Sequence, residues 1–303
     1  MDKQNIKRSP LFYVGDKYKL ISQIKKYIPN SIENYYEPFL GGGSMFLNIK
    51  ADRYFLNDID TYLIDIHKYL YNCSENSENF FSKMEKIVEK YDLSRSYKED
   101  IIPPTLKKEW KKTYFAKFNK KSYEKLRTDF NRQKEKNPVM MYLLLIYGFN
   151  RMLRFNKEGK FNIPVGNVDL NKNVIKALEG YFGMVKKQQI KYYKQDYKSF
   201  LNENRFSPND FTYFDPPYLS TFSEYNKLWN KKNEEELLSI IDNLNQRKVR
   251  FAMSNVTHYN GSRNDILLKW IKKYNVYTIK SNYISYFDNS HKKIKEILVT
   301  NYE

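Results

Sequence analysis

Residues 35–70, "YYEPFLGGGSMFLNIKADRYFLNDIDTYLIDIHKYL", carry the pattern on which the fold is read. "YYEPF" reads as a strand, "LGGGS" as a glycine turn and "MFLNIKA" as a helix-like piece; "RYFLNDID" is a short apolar strand, and "TYLIDIHKYL" has helical spacing. Strand, turn, helix, strand and helix in that order open an α/β unit. The alternation resumes from about residue 190 with "IKYYKQDY", "DFTYFDPPY", the helix "EEELLSIIDNLNQR", the strand "VRFAMSN", the helix "NDILLKWIKKY" and two closing strands, "VYTIKS" and "EILVTNY". Between the two blocks the texture changes. A basic helical stretch, "LKKEWKKTYFAKFNKKSYEKLRTDF", leads into the apolar helix "PVMMYLLLIYGF" and then the polar turns of "NRMLRFNKEGKFNIPVG". The expected architecture is α/β with an embedded second domain.

Composition narrows the function. A chain of 303 residues with 41% hydrophobic content can bury a sizeable core. No run of about 18 apolar residues occurs and "MDKQNIKRSPLF" lacks the apolar core of a signal peptide, so no membrane partner and a cytoplasmic location are expected. Cys73 is the single cysteine and His67, His258 and His291 lie far apart, so no metal site is expected. Lys and Arg number 53 against 35 Asp and Glu, a net charge of +18 on a chain that is also 17% aromatic. An AT-rich genome raises lysine content without raising the excess of positive over negative charge. That excess, with abundant rings on which bases stack, favours a nucleic-acid partner.

Three pieces of the α/β frame can carry chemistry. In "EPFLGGGS", Glu37 to Ser44, glycines between strand and helix let backbone approach a ligand that a Cβ would exclude, and a helix start offers N–H groups to a carboxylate. The motif is neither a GxGxxG fingerprint nor a Walker loop, and alone it is equally a plain turn. Asp58 ends the next strand, where an acid can accept hydrogen bonds from ribose hydroxyls. Its competing reading is a helix cap, since Asp58 and Asp60 both precede "TYLIDIHKYL". The third piece is Asp215-Pro216-Pro217-Tyr218 after the apolar strand "FTYF". Prolines remove N–H donors and leave a rigid cluster of acceptors beside an aromatic ring. Such a cluster suits an exocyclic amine on a flat heteroaromatic ring: both N–H bonds are accepted, the lone pair leaves conjugation, and the ring stacks on Tyr218.

In this order the motifs resemble those of the Dam-type (D12 class, alpha group) DNA adenine-N6 methyltransferases, over nearly the whole chain. "FYVGDKYKLI" is similar to the family's N-terminal Trp-x-Gly-Gly-Lys motif, with Tyr13 for Trp, Asp16 for the second Gly, and Lys17 kept. The resemblance implies a Rossmann-like S-adenosylmethionine-dependent methyltransferase sheet, residues 1–84 and 175–303, with an inserted, mainly helical target-recognition domain, residues 85–174. It implies S-adenosylmethionine as cofactor, held by Tyr13, Lys17, Glu37, Phe39, Gly41, Gly42, Gly43, Ser44, Asp58, Asp196 and Tyr197. Glu37 and the glycine turn would take the methionine part, Asp58 the ribose, and Asp196 of "KQDYKSF" the adenine amine. Asp215, Pro216, Pro217 and Tyr218 would receive an adenine flipped out of duplex DNA, with basic side chains between Lys107 and Lys121 on the phosphates. In "FNRMLRFN", Phe149 and Asn150 match a Phe-Asn pair, Arg154 matches the arginine that reads the guanine before the target adenine, and Arg151 stands where glycine is common; Asn150, Arg151 and Arg154 are the residues the resemblance implies bind DNA. After "IPVG", Asn167-Val168 replaces the Arg-Tyr pair of members that read GATC. The implied partners are duplex DNA and, for a restriction-modification member, a cognate restriction endonuclease, in a bacterium or its phage. An RNA adenine methyltransferase, a protein-glutamine methyltransferase and a silent DNA-binding subunit remain alternatives at this level.

Overall fold

The computed structural model describes residues 6–99, 101–221, 229–280 and 294–303. Residues 1–5, Ser281 and His291 of the stretches read above lie outside them. The strands are β1 (Asn34–Glu37), β2 (Arg53–Asn57), β3 (Gln189–Tyr193), β4 (Phe211–Phe214), β5 (Arg250–Tyr259), β6 (Ser262–Arg263), β7 (Asn275–Ile279) and β8 (Ile294–Thr300). They form a sheet of order β3-β2-β1-β4-β5-β8-β7, with β6 paired only to β5. The first five in that order are mutually parallel, and β8 runs antiparallel between β5 and β7. Strand order reverses between β1 and β4. The carboxyl ends flanking such a reversal form the crevice where open α/β sheets bind ligands.

Period-two alternation divides the core between the two faces of the sheet. Tyr35, Tyr54, Leu56, Tyr213, Ala252 and Leu298 face one hydrophobic cluster, while Tyr36, Phe214, Phe251, Met253, Ile297 and Val299 face the other. The second cluster is covered by α8 (Tyr197–Glu203), α9 (Lys231–Gln246) and α10 (Asp265–Trp270). The first takes α2 (Thr61–Cys73), α3 (Ser77–Lys90), α5 (Tyr114–Arg132), α6 (Pro138–Tyr147) and α7 (Lys172–Val185). Helix α6 starts with proline after the cap Asn137, whose side chain accepts from Val139 N and Met140 N, and every residue from Val139 to Tyr147 is buried. It packs on α2, α3 and α5, so the inserted region shares one core with the sheet. Residues 84/85 and 174/175, the boundaries read from sequence, lie inside α3 and α7.

Two elements differ from the sequence reading. The piece after the glycine turn is one 3-10 turn, Phe46–Asn48, not a helix. The residue after the turn, Ile49, is already extended at φ −108° and ψ 134°, and Ala51 N donates to the Tyr54 hydroxyl at 3.0 Å, so the chain passes from the turn directly to β2. The basic stretch is two helices, α4 (Pro104–Glu109) and α5, broken between Trp110 and Thr113. The N-terminus of α5 is capped from a distance: Asn167 Oδ1 accepts from Phe115 N at 3.0 Å and Ala116 N at 3.3 Å, and its Nδ2 donates to Lys112 O at 2.6 Å.

The loops at the carboxyl edge are tied together by Asn57, which is fully buried. Its Nδ2 donates to Pro38 O and Gln195 O, each at 3.0 Å, and its Oδ1 accepts from Gln195 N at 3.0 Å. One side chain therefore joins the exits of β1, β2 and β3. Asn57→Ala strands three buried groups and is expected to destabilise the fold by about 2–4 kcal/mol, read as a lower urea midpoint with an unchanged denaturant slope.

Candidate active site

The site is built from what leaves the carboxyl ends of β1, β2, β3 and β4. Glu37 ends β1 and is 2% exposed, with its Oε2 accepting the Tyr35 hydroxyl at 2.8 Å. Burial, then the charge of neighbouring Asp215, hold Glu37 well above the usual carboxylate range, while the Tyr35 hydrogen bond works the other way. A buried carboxylate in that state gains from an incoming cation.

The three glycines after it do two different things. Gly41 sits at φ +50°, and nothing lies within 4 Å of where a Cβ would project, so its backbone is open to the ligand side. At Gly42 a Cβ would lie 2.9 Å from the Tyr13 Cβ, and at Gly43 it would meet the Phe46 ring at 2.6 Å. Those two positions are small for packing. Ser44 follows, buried, its carbonyl accepting from Asn48 Nδ2 at 2.8 Å.

Gly41 is clamped on both sides. Its N–H donates to Asp58 Oδ2 at 2.8 Å and its carbonyl accepts from His67 Nε2 at 2.9 Å. A carbonyl can only accept, so His67 carries its proton on Nε2; its Nδ1 has no hydrogen-bond partner among the described residues. Burial lowers the His67 pKa to about 4 and keeps the ring neutral. Asp58 also accepts from Asp60 N at 3.0 Å, and the cap of α2 is Asp60, which accepts from Tyr62 N and Leu63 N. The cap role thus falls to Asp60. Half-buried Asp58 is pushed up to about 6, chiefly by desolvation. Beside it Ile59 is 72% exposed, a large apolar side chain at the ligand edge that no sequence motif marks.

Asp196 follows β3, is exposed, and caps α8 through Lys198 N at 2.9 Å. Tyr197 is buried, its ring 5.2 Å from Phe39 and 5.6 Å from Trp229. No sequence signal points to Trp229. It is held by Glu234, whose Oε2 accepts the indole N–H at 2.7 Å.

At the end of β4, Asp215 is oriented through both oxygens. Tyr218 donates its hydroxyl to Oδ1 at 2.8 Å, and Lys17 places Nζ 2.8 Å from Oδ2. The same ammonium lies 5.1 Å from the centre of the Tyr218 ring. Pro216 is buried and Pro217 half-buried between them. Lys17, read from sequence with the cofactor residues, therefore sits on the Asp-Pro-Pro-Tyr motif, and Tyr13 packs beneath Gly42.

The recognition residues separate. Asn150 and Arg151 have left-handed φ of 52° and 50°. Arg151 turns inward, its guanidinium 4.1 Å from the centre of the Phe12 ring, on which Arg8 also stacks at 4.3 Å. Desolvation brings the Arg151 pKa down to about 10. Phe149, Asn150 and Arg154 are exposed, and Arg154 Nε donates to Asn162 Oδ1 at 2.8 Å. This arm rests on α2, where Phe155 stacks on Tyr62 with centroids 3.6 Å apart. Among the described residues there is no group of three metal-ligating side chains, and no helix is long and apolar enough to cross a membrane.

Acids on the carboxyl ends of successive parallel strands, a glycine loop, and Asp-Pro-Pro-Tyr beside the strand-order reversal define a Rossmann-like fold of the methyltransferase class. A model of the D12 class N6 adenine-specific DNA methyltransferases matches residues 13–284, and the chain belongs to that family. It is 31% identical to the type II methyltransferase M.FokI of Planomicrobium okeanokoites over 97% of this chain and 43% of the relative. With the modification methylase StsI of Streptococcus sanguinis the identity is 32%, over 98% and 43%. The DNA adenine methylase of Escherichia coli (strain K12) is 27% identical over 96% of this chain and 94% of its own length. The chain thus spans less than half the length of the first two relatives and nearly all of the third.

His67 gives the site a pH signature. A folded pKa near 4 against 6.5 in the unfolded chain means the unfolded state binds the extra proton between those values, so stability is complete above pH 6.5 and is lost as pH falls toward 4. His67→Gln keeps a donor for Gly41 and removes the titration. Its unfolding free energy is expected to fall less steeply than wild type between pH 6.5 and 4, by up to about 3 kcal/mol in total, measured by urea unfolding across that range.

Proposed function

We propose that this chain is a site-specific DNA methyltransferase that moves a methyl group from S-adenosylmethionine to the N6 amine of an adenine flipped out of duplex DNA. The observation that carries this reading is the Asp215 carboxylate at the end of β4, oriented by Lys17 and Tyr218 beside the glycine loop.

The donor set fits the cofactor. Glu37, Asp58 and Asp196 stand at the ends of β1, β2 and β3 in that order, and a cation or hydroxyl donor relieves the desolvation that raises the first two. Glu37 would take the ammonium of the methionine part, Asp58 the ribose hydroxyls and Asp196 the adenine amine, with Ile59, Phe39 and Tyr197 supplying apolar walls. Open backbone at Gly41 admits the ligand. When bound, S-adenosylmethionine supplies an electrophilic methyl group on a sulfonium sulfur.

The chain's own residues prepare the amine. A carboxylate oxygen has room for a second hydrogen bond beyond the one from Lys17 or Tyr218, so Asp215 can accept one N6–H while the Pro216 carbonyl accepts the other. Both bonds draw the nitrogen lone pair out of conjugation toward the methyl carbon. The N–C bond forms as the C–S bond breaks with its electron pair on sulfur. The methylated amine is then a cation that sheds its proton without a strong base. Tyr218 offers its ring to the flipped base.

Residues 85–174 are proposed as the target-recognition part, with the remainder catalytic and a net charge of +18 drawing the chain to phosphate. Arg154 is proposed to read the guanine before the target adenine, since its guanidinium is exposed and oriented by Asn162. Asn150, also exposed, is proposed to contact DNA with it. Arg151, stacked on Phe12, would act by fixing the turn. Asn167 is committed to capping α5, which supports a GA-containing site other than plain GATC. The enzyme would serve beside a cognate endonuclease or alone.

Transfer of a tritiated methyl group to duplex DNA, with RNA and protein as parallel substrates, tests the reaction; label on RNA or protein alone would reject it. Asp215→Ala is expected to lower transfer by several orders of magnitude with cofactor affinity nearly unchanged by calorimetry. Equal loss of both would move Asp215 out of the target-base role. A modified-base map of a methylation-free host is expected to show guanine before each methylated adenine. Arg154→Ala is expected to relax that position, at a cost of about 1–3 kcal/mol of discrimination, whereas equal loss on all sequences would make Arg154 a phosphate contact.

A further inference from the structure

Behind Asp215 lies a second carboxylate that the reaction as described does not use. Glu296 belongs to β8, the antiparallel strand, and is 1% exposed. Its Oε1 is 4.0 Å from the same Lys17 Nζ that stands 2.8 Å from Asp215 Oδ2. Lys17 is itself only 4% exposed and Asp215 20%, so carboxylate, ammonium and carboxylate form a row that is buried at its Glu296 end.

Packing does not ask for a glutamate there. The neighbours of Glu296 along the strand, Ile297, Leu298 and Val299, are buried and apolar, and an apolar side chain at such a position is as stable as a buried ion pair or more so. The Lys17 ammonium stands 4.0 Å from Glu296 and 2.8 Å from Asp215. Coulomb energies add pair by pair, so the negative charge of Glu296 offsets part of the field that Lys17 exerts at Asp215. With Glu296 present, Lys17 orients Asp215 while Oδ2 keeps its strength as an acceptor. Without it, the uncompensated field of Lys17 would weaken Asp215 as an acceptor.

We infer that Glu296 is a positioning residue for methyl transfer: through Lys17 it sets the orientation and acceptor strength of the Asp215 carboxylate that receives the substrate amine. The inference rests on the proposed reaction and concerns one residue that touches neither cofactor nor base.

The test is Glu296→Gln in the full chain, which keeps the shape and removes the charge. Single-turnover methylation of duplex DNA is expected to slow by about 10- to 100-fold, with the affinities for S-adenosylmethionine and DNA within about two-fold of wild type. Thermal unfolding of Glu296→Gln, Lys17→Met and the double variant supplies a second readout. The double variant is expected to be more stable than the sum of the single losses predicts, because Lys17→Met strands the buried Glu296 carboxylate only where Glu296 is still present, while its effect on Asp215 is the same in both backgrounds. If Glu296→Gln does not fold, Glu296→Asp, which withdraws the charge by one methylene, carries the same kinetic test. A methylation rate equal to wild type, a loss confined to ligand affinity, or strictly additive stabilities would each overturn the inference. A wild-type chain that methylates no DNA would overturn the reaction itself, and the stability cycle would still report whether Lys17 and Glu296 are coupled.

Discussion

Glu37 and Asp215 leave the sheet on adjacent parallel strands, β1 and β4, at the place where strand order reverses. Helices and loops depart in opposite directions from that line and leave a crevice between them. The surrounding structure treats the two carboxyl groups differently. Glu37 is desolvated, accepts the Tyr35 hydroxyl, and is held in a raised range. Asp215 has the Lys17 ammonium. One acid is thereby primed for an incoming cation and the other is kept as an oriented acceptor, which is the division of labour methyl transfer from a sulfonium to an amine requires.

Much of the remaining architecture holds those two groups in register. Asn57 ties the exits of the first three strands, and Gly41 is fixed from below by His67 and from the side by Asp58. The N-terminal segment brings Tyr13 under Gly42 and Lys17 onto Asp215, so residues that precede the first strand complete the site at the fourth. The inserted region is packed into the same body as the sheet. Its apolar helix α6 lies in the core shared with the sheet, and the arm bearing Arg154 leans on α2 through the Tyr62–Phe155 stack. Movement of an arm docked that way would be felt at the helix that carries His67.

Local chemistry made the frame legible. The apolar run "FTYF" could only be a buried strand, and β4 occupies Phe211–Phe214. Pro216 and Pro217 have no N–H to spend on a ladder, so the place of Asp-Pro-Pro-Tyr at a strand end follows from covalent structure. The glycine turn, the acids after β1, β2 and β3 and the basic composition are likewise properties of short segments. The helix expected after the glycines is instead one 3-10 turn, whose buried Phe46 and Leu47 join the core before the chain enters β2.

What tertiary structure alone decided are contacts between groups far apart in the chain. Nothing near Lys17 in sequence indicates that its ammonium meets Asp215 and Glu296, because the three lie on an N-terminal turn, β4 and β8 and converge only when β8 inserts between β5 and β7. The choice of Asp60 over Asp58 as helix cap depended on where the Gly41 amide came to rest. Arg151 and Arg154 are three residues apart and chemically alike, yet one is stacked inside on Phe12 and the other faces solvent, since a left-handed turn at Asn150–Arg151 redirects the chain. Sequence determined which segments are strands, helices and acceptor-rich turns, because those follow from side-chain period and backbone chemistry within a few residues. Which charges share a buried site was decided by the sheet order, because a Coulomb interaction in a low-dielectric interior depends on distance in space and takes no account of distance along the chain.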